Sequence, residues 1–139
     1  MGKLEEFLLQ DDFLQDETEV EVAISPRFKY PFKVRALTQE ENKALRKSCQ
    51  RVTIDKRTRQ KVTETDTDLY TDRLVVASTV DPNFKSAALQ ERFGVKDGRA
   101  ETLVGVMLKP GEYTTLIDAV MEVNGYGDDI NDLIDEAKN

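Results

Sequence analysis

The side chains that could do chemistry in this chain are few. It has no histidine, which removes the commonest general base, the usual partner of a serine or cysteine nucleophile and the commonest metal ligand. The single cysteine, Cys49, stands near Lys47 and Arg51, and neighbouring cations lower a thiol's pKa. With no imidazole to accept its proton, it reads as a buried structural thiol, and a lone cysteine fits a reducing compartment. Gly125-Tyr-Gly127 follows a helical pattern, whereas a phosphate-cradling loop follows a strand, so these glycines read as a helix stop. Asp128-Asp-Ile-Asn-Asp132 gathers carboxylates but lacks the glycine and the terminal glutamate that shape a calcium loop. Acids at a helix start, where they meet the positive end of the macrodipole, account for it more simply. No catalytic residue, cofactor-binding residue or metal ligand is assigned, and the expectation is a protein that is not an enzyme and carries no cofactor.

Charge is the second candidate for function. The net charge of -7 hides three blocks: residues 1 to 24 sum to -7, residues 25 to 62 to +9 and residues 63 to 139 to -9. Such blocks attract one another within a fold or solvate its surface, and a basic block can also meet phosphates. In residues 27 to 61, Arg, Lys and aromatic side chains interleave, as in a sheet that stacks bases. Against nucleic acid stand the acidic whole, with a pI near 4.7, and the alternation itself, which sends the aromatics to the face opposite the bases.

The elements that must carry these groups follow from periodicity. Leu4, Phe7 and Leu8 recur at helical spacing over residues 2 to 10, a helix too short to stand alone. Together with the acidic stretch up to residue 17 it forms an arm and linker able to dock on its own domain or on a neighbour. Val20, Val22 and Ile24 alternate with Glu19, Glu21 and Ala23 as in a half-buried strand. Phe28, Tyr30, Phe32 and Val34 alternate with bases around Pro31, which suggests an edge strand or a bulge. Thr38-Gln-Glu-Glu41 is a capping box that starts a helix running towards Cys49. Val52, Ile54 and Val62 flank Lys56-Arg-Thr-Arg59 as a hairpin with a basic tip.

Beyond it, Asp66 or Thr67 caps a helix that Asp81-Pro82-Asn83 stops, and Ser86 caps a short helix through Phe93 before Gly94. A further helix spans about Arg99 to Leu108. Pro110 and Gly125 bracket the best-marked one, where Tyr113, Leu116, Ile117, Val120 and Met121 form one apolar stripe. A last acidic helix is expected from Asp129 to about Ala137.

Strands followed by helices give an α+β class: a small N-terminal antiparallel sheet or hairpin region, then a bundle of four to five short helices. The division is an arm and linker over 1–17, a β-rich region with one helix over 18–65, and a helical region over 66–139 that forms one compact domain with it. No run of apolar residues is long enough to span a bilayer, and the acidic N-terminal residues do not suit a signal peptide. The expected location is the cytoplasm, with no membrane partner.

Several stretches, taken in order, carry a resemblance: Phe32-Lys-Val-Arg-Ala-Leu-Thr-Gln-Glu-Glu41, Asp81-Pro-Asn-Phe-Lys85, Leu89-Gln-Glu-Arg-Phe-Gly-Val95, Leu103-Val-Gly-Val-Met-Leu-Lys-Pro-Gly-Glu-Tyr113, Val123-Asn-Gly-Tyr126 and Glu136-Ala-Lys-Asn139. The chain resembles the XkdN-like tail assembly chaperones of phages and prophages. That resemblance implies a factor of the bacterial host cytoplasm that binds the tape measure protein during tail assembly and is absent from the finished particle. It also implies that the tail tube protein, a longer frameshifted form of the chain itself or a second copy are further partners. A structural tail component retained in the particle and a nucleic-acid-binding module using segment 27–61 are the alternatives. Protein-binding side chains are expected on the arm, at Leu4, Phe7 and Leu8, and on the later helices, at Leu103, Met107, Tyr113, Leu116 and Val120, all of which ordinary core packing would equally explain.

Overall fold

Local capping chemistry sets most helix boundaries. The computed structural model describes residues 2–11 and 19–126. Helix α1 spans Lys3–Leu8, and strands β1 (Glu19–Val22) and β2 (Phe32–Arg35) follow. Helix α2 (Gln39–Ser48) opens on the capping box read from the sequence: the Glu41 backbone N–H donates to Thr38 Oγ1 at 3.1 Å, and the Thr38 N–H donates to the Glu41 carboxylate at 3.1 Å. Strands β3 (Gln50–Ile54) and β4 (Lys61–Thr65) form the basic hairpin. Helix α3 (Thr67–Ser78) is capped by Asp66, which accepts from the Leu69 N–H, and α4 (Ala87–Arg92) is capped by Ser86, which accepts from the Leu89 N–H. Helices α5 (Ala100–Met107) and α6 (Pro110–Val123) complete the described chain. Gly125 closes α6 with φ +85°, a left-handed backbone that glycine adopts without a Cβ clash. The fold class is α+β, with four helices described after residue 66; the acidic helix expected over 129–137 lies outside the described residues.

Two features depart from the sequence expectation. Residues 26 to 30 are turns and bends instead of strand, and Pro31 precedes β2, so its missing N–H costs no ladder bond. Phe28 nonetheless packs edge-to-face on Phe32, with ring centroids 5.0 Å apart. The second is β5 (Thr79–Asp81), a strand directly following α3 where the sequence suggested only the helix continuing to a stop. It pairs antiparallel with β2, giving the sheet order β1-β2-β5. β2 is therefore central and not an edge, although the alternative of a bulge holds: the register shifts between Lys33 and Val34.

The core draws on both halves of the chain. Phe32 and Val34 from β2 are buried with Phe84, Leu74, Leu103 and Leu116 from the helical region, because α6 packs on β2 and α3 packs on both α5 and α6. The polar seams are closed by buried Glu112 and half-buried Asn124. Glu112 near the start of α6 accepts from Ser25 Oγ at 2.5 Å, Arg27 Nε at 3.0 Å, Arg27 Nη2 at 2.6 Å and the Lys109 N–H at 2.8 Å. At the other end of α6, Asn124 accepts from the Leu37 N–H at 2.8 Å and donates to Ser78 Oγ at 3.1 Å.

The donors on Glu112, Arg27 first and Ser25 second, hold its carboxyl at about 2 against an ordinary 4.5. A carboxyl depressed by folding contributes stability that is full above its unfolded pKa and is lost as pH falls through the folded one. Thermal unfolding followed by circular dichroism should therefore show a melting temperature that falls between about pH 4.5 and pH 2. Glu112→Gln should be less stable at neutral pH and show a flatter profile over that window; an unchanged profile would contradict the clamp.

Candidate functional site

Burial sorts the apolar side chains into two populations. Of the residues expected to bind a partner, Leu103, Leu116 and Val120 are 0% exposed and Met107 is 5% exposed. Tyr113 is half-buried, and its hydroxyl donates to Asp72 of α3. Burial, with Asp72 second, pushes that hydroxyl's pKa up. These five residues pack within the fold, on stripes that face β2 and α3. An apolar period marks a face that leaves water without saying what it meets.

The arm is the opposite case. Leu4 is 69% exposed, Phe7 51% and Leu8 42%, and no residue of α1 is buried. The structure thus brings together the three arm residues at one-turn spacing and separates them from the five on α5 and α6. A 6-residue helix gains little from propensity alone.

A second such element was not among the residues singled out for binding. Every residue from Gln50 to Thr65 is exposed, although β3 and β4 pair over five residues, from Gln50↔Thr65 to Ile54↔Lys61. Val52 and Ile54 share one face, at 63% and 67% exposure. A lone two-stranded hairpin is marginal in water. Among the described residues this one is anchored at its base, where Cys49 is buried, the Asp66 N–H donates to Cys49 O at 2.9 Å, and Arg73 Nη1 donates to Ser48 O at 2.9 Å. The signal for it in the sequence was the β-branched alternation with no third strand nearby to cover it. At the tip, the Arg59 N–H donates to Asp55 O at 2.7 Å with Arg59 at φ 60°. That conformation costs a non-glycine residue energy, so the tip keeps a cation where glycine would be easier.

Residues 50–65 carry five Lys or Arg, two acids and no aromatic. The aromatics of the basic block lie outside the hairpin: Phe32 is 3% exposed in the core, Phe28 packs on it, and Tyr30 is exposed beside Lys29. The hairpin therefore offers cations and three exposed apolar side chains, Val52, Ile54 and Val62, without a ring for a base to stack on. Among the described residues no His, Cys, Asp and Glu side chains group as metal ligands, and no helix is long and apolar enough to cross a membrane. The depression between α3 and α5, about 500 Å³, holds Arg73 and Glu101, which neutralise each other at 3.0 Å. That leaves no free acid and base facing each other there.

Residues 4–138 match the family model described as phage XkdN-like tail assembly chaperone protein. The uncharacterized protein YqbN of Bacillus subtilis strain 168 is 35% identical over 127 residues, covering 87% of this chain and 84% of its own. XkdN of the phage-like element PBSX from the same strain is 32% identical over 128 residues, covering 87% and 84%. The crystal structure of YqbN superposes with a TM-score of 0.64 at 28% identity, over 79% of this chain and 87% of that one.

The two populations should separate in urea titrations. Leu116→Ala should cost about 2–5 kcal/mol, as for other fully buried leucines, whereas Ile54→Ser and Leu8→Ser should stay within about 0.5 kcal/mol of the parent. A large loss from either exposed substitution would mean that the arm or the hairpin is part of the core.

Proposed function

We propose, on the footing that this chain belongs to the phage XkdN-like tail assembly chaperone family, that it binds the tape measure protein of its phage or prophage and keeps it soluble while the tail is built. It acts without catalysis, in the cytoplasm of the bacterial host, and leaves before the particle is complete. Family membership supplies the tail-assembly setting. The observation that carries the finer reading is the exposed apolar face of α1, where Leu4, Phe7 and Leu8 contribute nothing to the core. A tape measure protein presents long apolar helical stretches before it is enclosed, and an amphipathic helix is a natural cover for another helix's apolar side. The charged body, with 34% Asp, Glu, Lys and Arg, keeps such a complex in solution. A frameshifted longer form and the tail tube protein are secondary partners in the same assembly.

Co-expression with the tape measure product tests this directly. The parent chain should raise the soluble yield of the tape measure protein and co-purify with it, and a Leu4→Ser, Phe7→Ser, Leu8→Ser triple variant should lower co-purification at least about fivefold with an unchanged melting temperature. No rescue by the parent chain would reject the reading. Mass spectrometry of purified particles separates an assembly factor, which is missing, from a tail component present at fixed copy number.

A further inference from the structure

Helix α6 ends beside a basic face. The Tyr126 N–H donates back to Met121 O at 3.1 Å, which closes the helix and sets Tyr126 against α2, where it lines a depression of about 50 Å³ with Leu37, Gln39 and Asn42. Gln39 and Asn42 also line the next depression, of about 500 Å³, whose other described walls are Lys43, Arg46, Lys47 and Gln50. Lys43 and Lys47 stand one turn apart on α2 with Arg46 beside them, so the three cations share one side of the helix. All three are exposed, and among the described residues none of them pairs with a carboxylate. Arg46 lies over the Tyr70 ring, 5.5 Å from its centroid. Of the acids on α2, Glu41 is held by Arg35 at 3.0 Å, which leaves Glu40 set against three cations.

Residues 127 to 139 carry five acids, Asp128, Asp129, Asp132, Asp135 and Glu136, and one base, Lys138. We infer that this segment lies along the basic face of α2 in the free protein, its carboxylates against Lys43, Arg46 and Lys47. The reach is sufficient. Asp128 is two residues beyond Tyr126, which is up to about 7 Å of extended chain. Residues 127 to 136 cover about 15 Å even at a helical 1.5 Å each, which matches the ten residues of α2. A single exposed ion pair contributes little, but acids joined to the same chain act at high effective concentration, so several weak pairs hold together. The contact closes to outside polyanions a face whose three cations would otherwise give phosphates a footing. It needs no client and stands apart from tape measure binding.

A zero-length carbodiimide, which joins a carboxylate to an amine in direct contact, reads the pairing in the purified full-length chain, with the products mapped by mass spectrometry. Lys43 and Lys47 should couple to acids of residues 128–136, within one copy when unlabelled and isotope-labelled protein are mixed. The yield should fall about fivefold or more in about 0.5 M salt, because exposed charges are screened. Coupling of these lysines to Asp11, Asp12, Asp16 or Glu17 instead, coupling only between copies, or no coupling to residues 128–136 would each overturn the inference. A short DNA duplex serves as the polyanion probe in a second measurement. Asp128→Asn, Asp129→Asn, Asp132→Asn, Asp135→Asn and Glu136→Gln together should bind it about tenfold or more tighter than the parent while melting like it, and the gain should vanish when Lys43→Gln, Arg46→Gln and Lys47→Gln are added. Glu19→Gln, Glu21→Gln, Glu91→Gln, Asp118→Asn and Glu122→Gln together change the net charge equally and should leave binding near that of the parent. Equal gains from the two sets would assign the effect to net charge and reject the inference.

Discussion

The body of the molecule depends on α6 lying across β2, pinned at both ends. Leu116 and Val120 of α6 are fully buried in the same cluster as Val34 of β2, and that burial is worth more than any single polar contact. The polar contacts decide where the helix can lie. Glu112 draws in Arg27 and Ser25 from the segment after β1, and Arg27 also donates to Met107 O at 2.6 Å, tying down the end of α5. Asn124 ties the other end of α6 to Leu37 and Ser78. A buried carboxylate with four donors and a half-buried amide with both ends engaged are costly to leave unmet, so the helix has one register on the sheet. β5 then adds to β2 from the far side.

That arrangement buries most of the apolar stripe of the later helices, leaving Val106 of α5 exposed. The larger groups of exposed apolar side chains are those on and just after α1 and on the β3–β4 hairpin, with Val20, Tyr30, Val80 and Phe93 exposed singly elsewhere. A chaperone that binds by covering apolar surface needs some of its own to spare, and elements outside the core can engage and release a partner without opening the fold.

The sequence was most legible where structure is decided within a few residues. Thr38, Asp66, Ser86, Pro110 and Gly125 mark helix ends because a cap is chemistry between near neighbours. The hairpin was visible for a similar reason. β5 was not, because Thr79–Asp81 is short, follows a helix with no break, and becomes a strand only by pairing with a segment far earlier in the chain, Val34 with Thr79. The stretch over Phe28 and Tyr30 alternates like a strand but is bent, placing Arg27 on Glu112 and Phe28 on Phe32. For the binding surface, Leu103, Met107, Leu116 and Val120 could not be told from contact residues, since the same spacing serves an internal neighbour and an external one. The same held for Leu4, Phe7 and Leu8, whose helical spacing does not say whether they are buried or exposed.

The most direct measurement of the central claim, that partners are met outside the core, is hydrogen–deuterium exchange read by mass spectrometry on the chain with and without the tape measure protein. New protection should appear in residues 2–11 and 50–65 on complex formation, while α5 and α6, already slow to exchange, change little. Protection confined to Leu103–Met121, or faster exchange there on binding, would mean that the client enters an opened core and would contradict the account.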